Sequence, residues 1–159
     1  MPAMKIWMPL VLGLLVSLGC TSSMAAAVLK LSRTELTLEP GKPINELYVE
    51  NIGDAPLYLN VEQHLLTNPG NTPEQLVPVT EVRRPSLLVM PGKLVLAPGQ
   101  KYRMVLKALG IPARTLVWRV TFRPKERVVI DAKSGNDLPT PLFVSVGYGV
   151  VIYQKGAMS

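Results

Sequence analysis

Residues 116–124 read LVWRVTFRP, and large apolar side chains take every second position along this stretch. The apolar set is Trp118, Val120 and Phe122, and arginine or threonine stands between its members. Because successive side chains of a β-strand point to opposite faces, this alternation predicts a strand with one buried face and one exposed face.

The same period of two recurs on both sides of this stretch, over residues 57–62 and 102–107. Such runs are separated by turn signals, above all Pro-Gly pairs, in which proline sets the first dihedral angle and glycine accepts a positive one. No long run with helical period follows residue 27. The predicted strands are residues 29–38, 44–50, 57–66, 86–96, 101–108, 115–124 and 141–154. They predict an all-β protein, a seven-stranded immunoglobulin-like antiparallel sandwich without a disulfide.

The composition argues against several classes of function. The chain has 159 residues, 48% of them apolar, which suits one folded domain. A single histidine, His64, and a single cysteine, Cys20, argue against a zinc site, a disulfide framework and a Ser-His or Cys-His nucleophile. Since no other set of nucleophile, base and metal ligands is clustered, we expect no enzyme activity, no cofactor and no metal.

The first 27 residues have the order of a secretory signal peptide. Lys5 precedes an apolar run from Ile6 to Leu18, and small residues follow it. The run is too short to favour a membrane span. We expect cleavage after Ala27, which leaves one domain at 28–159. The alternative is lipidation of Cys20, since LVSLGC loosely matches a bacterial lipoprotein box.

The last predicted strand, residues 141–154, reads PLFVSVGYGVVIYQ and is uncharged and apolar on both faces. One interpretation is a central strand that its own chain buries on both sides. The other is an edge that is lent to another chain, known as β-augmentation or donor-strand complementation, because a long apolar edge strand is otherwise an aggregation hazard.

The order of these elements resembles the N-terminal domain of the periplasmic chaperones of the chaperone–usher pilus pathway. The matching stretches are LKLSRTELTLEPG (29–41), LYVENIGDAPLYLNVE (47–62), PSLLVMPGKLVLAPGQKYRMVL (85–106), LVWRVTFRP (116–124) and PLFVSVGYGVVIY (141–153). The NPGNTPE loop and the VGYGVVIY ending are similar to the alternate, or alpha-type, members. The family usually has a second immunoglobulin-like domain, whereas this sequence ends at Ser159, soon after the last predicted strand.

The resemblance implies a non-enzymatic chaperone in the periplasm. Pilus subunits of that pathway lack their last strand, and the chaperone inserts its own last strand until the outer-membrane usher takes the subunit. The groove-filling residues are then expected to be Leu142, Val144 and Val146, with Tyr148 beyond them. Phe143 would replace them if the register slips by one residue.

The resemblance also implies a grip on the subunit's terminal carboxylate, for which the family uses an arginine on its first strand and a lysine on its last. Arg33 falls two residues early, Glu35 takes the arginine's place, and Val150 or a neighbour replaces the lysine. Arg119 or Arg123 would be a local substitute, because a guanidinium binds a carboxylate through two parallel hydrogen bonds.

The formal net charge is +6, and residues 101–127 hold eight of the basic side chains with one acid. One interpretation is a solvated basic face with no partner. Export and the absence of interleaved aromatic residues argue against nucleic-acid binding, so the alternative is attraction to an acidic pilus subunit or to a membrane surface. A second hypothesis remains open. It is an exported structural or adhesive module, lipid-anchored at Cys20, that pairs its edge strands with itself or with an envelope protein.

Overall fold

The structure is a computed structural model that describes residues 26–125 and 147–158 with their side chains, and the backbone of 128–130 and 142–144. The predicted signal peptide lies outside the described residues except for Ala26 and Ala27. Within the described part of the chain, no helix is long and apolar enough to cross a membrane.

Strands dominate the described residues, and one short 3-10 helix, Val79–Glu81, interrupts them. In chain order the strands are β1 Leu29–Leu31, β2 Glu35–Leu38, β3 Tyr48–Asn51, β4 Leu57–Leu66, β5 Leu76–Pro78, β6 Leu87–Met90, β7 Lys93–Leu96, β8 Lys101–Arg103, β9 Val105–Ala108, β10 Leu116–Pro124, β11 Val128–Ile130, β12 Leu142–Val144 and β13 Tyr148–Gln154. The prediction of an all-β immunoglobulin-like sandwich is confirmed.

The strands form two packed layers. In the first layer β3 lies between β1 and β8, and β9 pairs with β6. Met104 alone separates β8 from β9, and its N–H donates to the carbonyl of Leu47 at 2.9 Å, so both strands belong to this layer. The second layer has the order β2-β13-β10-β4-β5, with β7 also beside β4. Two facing sheets of this kind are the architecture of immunoglobulin domains.

The core between the layers contains the side chains that the alternation predicts. Trp118, Val120 and Phe122 of β10 are fully buried, together with Val49 of β3 and Leu87 of β6 from the opposite layer. Each such side chain contributes about 1.5–3 kcal/mol through removal of apolar surface from water. The chain therefore folds without a disulfide.

The strands are shorter and more numerous than the seven predicted. The predicted strand 29–38 is two strands, because β1 pairs with β3 in the first layer and β2 pairs with β13 in the second. Pro91, which has no N–H to donate, separates β6 from β7. The ladder of β2 with β13 is parallel, whereas every other described ladder is antiparallel.

Residues 67–80, which lie between two predicted strands, contain β5, which pairs with the end of β4. Its three residues are too few for a period of two to be recognised in the sequence. Residues 125–140, which lie between the last two predicted strands, fall mostly outside the described residues, but they include β11.

Buried amide side chains join the two layers. Gln63 of β4 donates to the carbonyl of Leu87 and accepts the N–H of Val89, both at 2.9 Å, and these two groups belong to β6 in the other layer. Asn51 of β3 donates at 3.2 Å to the carbonyl of Leu96 on β7. Because buried polar groups are costly when unpaired, these contacts favour one relative position of the layers.

Candidate functional site at the last strand

β13 is covered unequally on its two flanks. On one flank β10 pairs with it from Tyr148 to Gln154. On the other flank the parallel ladder with β2 begins only at Val151, which is paired with Glu35. Among the described residues, the stretch from Tyr148 to Val150 therefore has a strand on one side and none on the other.

The backbone of this stretch is oriented for further pairing. The N–H of Val151 donates to the carbonyl of Thr34 at 2.9 Å, on the β2 side. Backbone groups of a strand alternate between its two flanks, so the N–H and C=O of Gly149, two residues earlier, point to the same side. There they face the flank where the described residues place no strand.

Exposure varies along this stretch. Tyr148 is 40% exposed, whereas Val150 is fully buried. A Cβ atom placed on Gly149 would meet no atom within 4 Å, and one placed on Gly147 would lie 2.9 Å from Cγ2 of Thr121. The face of the sheet above Gly149 is therefore open, whereas at Gly147 a Cβ atom would be crowded by Thr121 of β10.

The predicted continuous strand 141–154 consists of two described strands. β12, which contains Leu142, Phe143 and Val144, pairs with β11, and Phe143 is opposite Val129. The structure describes the backbone of β12 and not its side chains, and Val146 lies outside the described residues. The groove-filling role of these residues stays a prediction.

The last strand is central along one part and an edge of the described sheet along the other, and its pairing with another chain stays a prediction. From Val151 to Gln154 the strand is central, with β2 and β10 on its flanks and Ile152 fully buried. From Tyr148 to Val150 it is an edge in the described structure. Because Val151 to Gln154 are paired on both flanks, they keep the preceding residues, Tyr148 to Val150, extended.

Arg119 of β10 holds the carboxylate of Glu74, which lies in the polar loop before β5. Nη1 is 2.6 Å from Oε2, and Nη2 donates to Oε1 at 2.8 Å. This is the two-pronged geometry in which a guanidinium binds a carboxylate best. In the second layer Arg119 is paired with Val151 of β13, one strand away from Glu35.

The other two predicted carboxylate-binding arginines lie apart. Arg123, four residues along β10, donates from Nε to Oε2 of Glu62 at 3.0 Å. Arg33 is exposed between β1 and β2. The structure thus places Arg119 and Arg123 on one strand, whereas β13 separates them from the strand that follows Arg33.

The predicted basic region is partly neutralised by carboxylates. Its arginine pairs are Arg103–Glu46, Arg119–Glu74 and Arg123–Glu62. The Tyr48 hydroxyl donates to Oε2 of Glu46 at 2.7 Å, and this bond and the one from Arg103 hold the pKa of the Glu46 carboxyl below its usual value. Sequence reasoning could not find these partners, because they come from distant parts of the chain.

A cleft among the described residues lies at the Gln154 end of β13, away from Tyr148. It has a volume of about 370 Å³, and its lining includes Ile44, Leu109, Ile111 and Lys155. Among the described residues, no three His, Cys, Asp or Glu side chains are grouped as metal ligands would be. The single histidine, His64, is half-buried and paired with Arg119 across β4 and β10.

No protein-family model matches the sequence, and no curated protein is significantly similar to it. Solved structures are similar in fold. The class 5 fimbriae chaperone CfaA has a TM-score of 0.62 at 22% identity, with 81% of this chain and 56% of CfaA covered. The chain has the fold of the fimbrial chaperones.

Two further structures agree with this fold. A chain in the complex of the Salmonella enterica SafA pilin with the SafB chaperone has a TM-score of 0.52 at 17% identity, over 83% of this chain and 56% of that one. The E. coli chaperone DraB has a TM-score of 0.51 at 18% identity, over 82% and 56%. This chain thus spans a little more than half the length of these chaperones.

Proposed function

We propose that this chain is a non-enzymatic chaperone of pilus subunits that acts by donor-strand complementation through its last strand. The observation that supports the proposal is that the described residues pair with only one flank of Tyr148, Gly149 and Val150, whereas Val151 to Gln154 are paired on both. The uncovered side of Tyr148 to Val150 is the free flank. Solved fimbrial chaperones share the fold, and one of the similar structures is a complex of a chaperone with a pilin.

The free flank suits a guest strand for two physical reasons. The backbone of Tyr148 to Val150 is already extended, because β10 and β2 hold the next residues, Val151 to Gln154, on both sides. A preorganised strand loses less conformational entropy on binding than a flexible one. The guest's backbone would complete the ladder, and side chains of β12 would fill its apolar groove.

The energy of binding would come from burial of apolar surface. Leu142, Val144 and Val146 are the proposed groove-filling residues, with Phe143 in the alternative register. Each would contribute about 1.5–3 kcal/mol when buried in a subunit. No nucleotide is required, since binding alone stabilises the folded subunit by mass action.

The chain would act in the periplasm and would meet two partners in turn. We propose that residues 1–27 direct export to the periplasm and are then removed. There the chain would receive a pilus subunit and deliver it to an outer-membrane usher. One of Arg119, Arg123 and Arg33 would bind a subunit carboxylate, and Arg119 is the first candidate, because it binds the carboxylate of Glu74 through two contacts.

Co-expression with candidate pilus subunits tests the proposal. Val144→Glu and Val146→Glu place a charge in the proposed groove contact, and we expect the yield of soluble subunit to fall by tenfold or more, since burial of an unpaired charge costs several kcal/mol. Val95→Glu is the matched control, because Val95 is 57% exposed on β7. Unchanged subunit yield with both groove variants would contradict the proposal.

The free flank also favours a second candidate, in which two copies of an exported module pair their edges. Mass spectrometry of the exported chain separates the two. A mature N-terminus at Val28 supports the chaperone, whereas an acylated Cys20 supports the lipid-anchored module.

A further inference from the structure

Exposed apolar side chains collect on the outer face of the first layer, around β6 and β9. Met90 of β6 is paired with Val105 of β9, and the two side chains are 39% and 48% exposed. The neighbours of Met90 along β6 that face the core, Leu87 and Val89, are buried, so this pair lies on the opposite face of the sheet. The solvent face of an antiparallel sheet is normally polar, and this part of it is apolar.

The apolar surface continues from this pair to the end of the sandwich. Val105 and Ile44 line one cleft, and Ile44 also lines the cleft at the end of β13, together with Leu109 and Ile111. All of these side chains are exposed. Ile44, Met90, Val105, Leu109 and Ile111 form the apolar patch. Because it contains five of the twelve large hydrophobic side chains that are exposed in the described part of the chain, they are concentrated here, as at surfaces that meet a protein or a membrane.

The apolar patch is bordered by positive charge. Lys107 is exposed two residues after Val105 on the same face of β9, and Lys155 lines the cleft with Leu109 and Ile111. Among the described residues, no carboxylate lies within 4.0 Å of either lysine. The carboxylates that line these two clefts are already neutralised, in the pairs Lys42–Glu39 and Arg103–Glu46.

An anionic membrane surface matches the apolar patch and its lysines together. Negatively charged headgroups attract lysine, and apolar side chains enter the boundary between the headgroups and the acyl chains. Lys107 has a long apolar stem, so its ammonium group can stay at the level of the phosphates while Val105 beside it lies deeper. The formal net charge of +6 adds long-range attraction to such a surface.

The apolar patch and the free flank lie on different sides of the sandwich. Met90 and Val105 are on the face of the first layer that is turned away from the second layer, and Gln63 of β4 lies beneath β6. The free flank belongs to the second layer and lies on the β2 side of β13, with β10 between β13 and β4. Contact of the patch with a membrane therefore leaves the free flank accessible.

We propose that the apolar patch, with Lys107 and Lys155, docks the chain reversibly on an anionic membrane surface. The outer face of the first layer lies on the headgroups, and the second layer faces the aqueous phase. The folded domain itself then holds the chain at the membrane, without a spanning segment or a lipid anchor. The inference does not depend on the proposed function, to which it adds a position at the membrane.

Sedimentation of the purified chain with vesicles tests the inference. One set of vesicles contains equal parts of phosphatidylglycerol and phosphatidylcholine, and the other contains phosphatidylcholine alone. Val105→Glu places a carboxylate in the apolar patch, and Val95→Glu is its matched control, because Val95 is exposed on β7 in the second layer. Lys107→Gln is matched in the same way by Lys93→Gln, since Lys93 is exposed on β7.

We expect the unmodified chain to bind the anionic vesicles about tenfold more tightly than the neutral ones. This preference should disappear in about 1 M salt, where the Debye length is only about 3 Å. Val105→Glu should weaken binding to the anionic vesicles by about tenfold, and Lys107→Gln by about fivefold, the factor for one lysine near the surface. Both control variants should bind like the unmodified chain, and circular dichroism verifies that all four variants are folded.

Four results would overturn the inference. The first is no binding to either kind of vesicle, or equal binding to both. The second is binding that Val105→Glu and Lys107→Gln leave unchanged, because another part of the chain, residues 1–27 included, would then hold the membrane. The third is equal weakening by the control variants. The fourth is self-association without vesicles that Val105→Glu abolishes, which would assign the apolar patch to a second copy of the chain.

Discussion

The backbone N–H of Val151 donates to the carbonyl of Thr34 at 2.9 Å, and Val151 is the first residue of β13 that β2 covers. This one bond marks where the last strand changes from a central strand to an edge. After it the strand contributes to the core, and before it the described residues leave one flank free. The same strand can therefore stabilise its own fold and have backbone available for a partner.

The two glycines around Tyr148 are predicted to differ in their effect on folding. Gly147→Ala should lower the free energy of unfolding by about 1–3 kcal/mol, because its Cβ would lie 2.9 Å from the stiff side chain of Thr121. Gly149→Ala should be neutral or stabilise by up to about 1 kcal/mol, since nothing lies within 4 Å. Urea unfolding of the two variants measures the difference, and equal destabilisation would contradict the described packing.

The buried amide of Gln63 is predicted to be essential for stability. Gln63→Leu leaves the carbonyl of Leu87 and the N–H of Val89 buried and unpaired, which should cost about 2–4 kcal/mol. Gln100→Leu is the control, because Gln100 is exposed and its side chain accepts one N–H, that of Ala97. Thermal unfolding followed by circular dichroism compares them, and the prediction fails if both variants melt at similar temperatures.

The chain is predicted to lose stability in acid, in part through Glu46. Hydrogen bonds from Tyr48 and Arg103 lower the pKa of Glu46 in the folded state. A group whose pKa is depressed by folding stabilises above its unfolded pKa, and this contribution is lost as the pH falls through the folded value. The loss should therefore begin near pH 4.5 and continue below it.

Glu46→Gln should flatten this part of the pH profile. Glu81→Gln, which changes an exposed glutamate elsewhere, is the control and should leave the profile unchanged. Unfolding midpoints of both variants, measured between neutral and strongly acidic pH, test this prediction. A profile of Glu46→Gln that matches the unmodified chain would show that this carboxylate has no linkage to folding.

The sandwich could be predicted because its signals are local. Burial of Trp118, Val120 and Phe122 follows from their spacing, and proline explains the break between β6 and β7. The break between β1 and β2 has no glycine or proline to mark it. It arises because the two halves pair with different layers, and sequence periodicity contains no information on the pairing partner.

The sequence predicts that the candidate site lies on the last strand, but it does not predict the contacts made there. An apolar last strand is visible in the sequence, but the residue at which β2 begins to cover it is a property of the folded chain. Arg119 and Glu74 are 45 residues apart, so no local pattern joins them. The arginine could be singled out for its chemistry, whereas its partner could not.

Gly149→Pro tests the free flank most directly. Proline removes the N–H that faces the flank and is tolerated on edge strands whose N–H groups face solvent, so the bonds to β10 remain. With Gly149→Ala as control and circular dichroism to verify the fold, we expect folded Gly149→Pro to lose capture of co-expressed pilus subunits, and Gly149→Ala to retain it. Capture by folded Gly149→Pro at the level of the unmodified chain would contradict the claim that a guest strand pairs there.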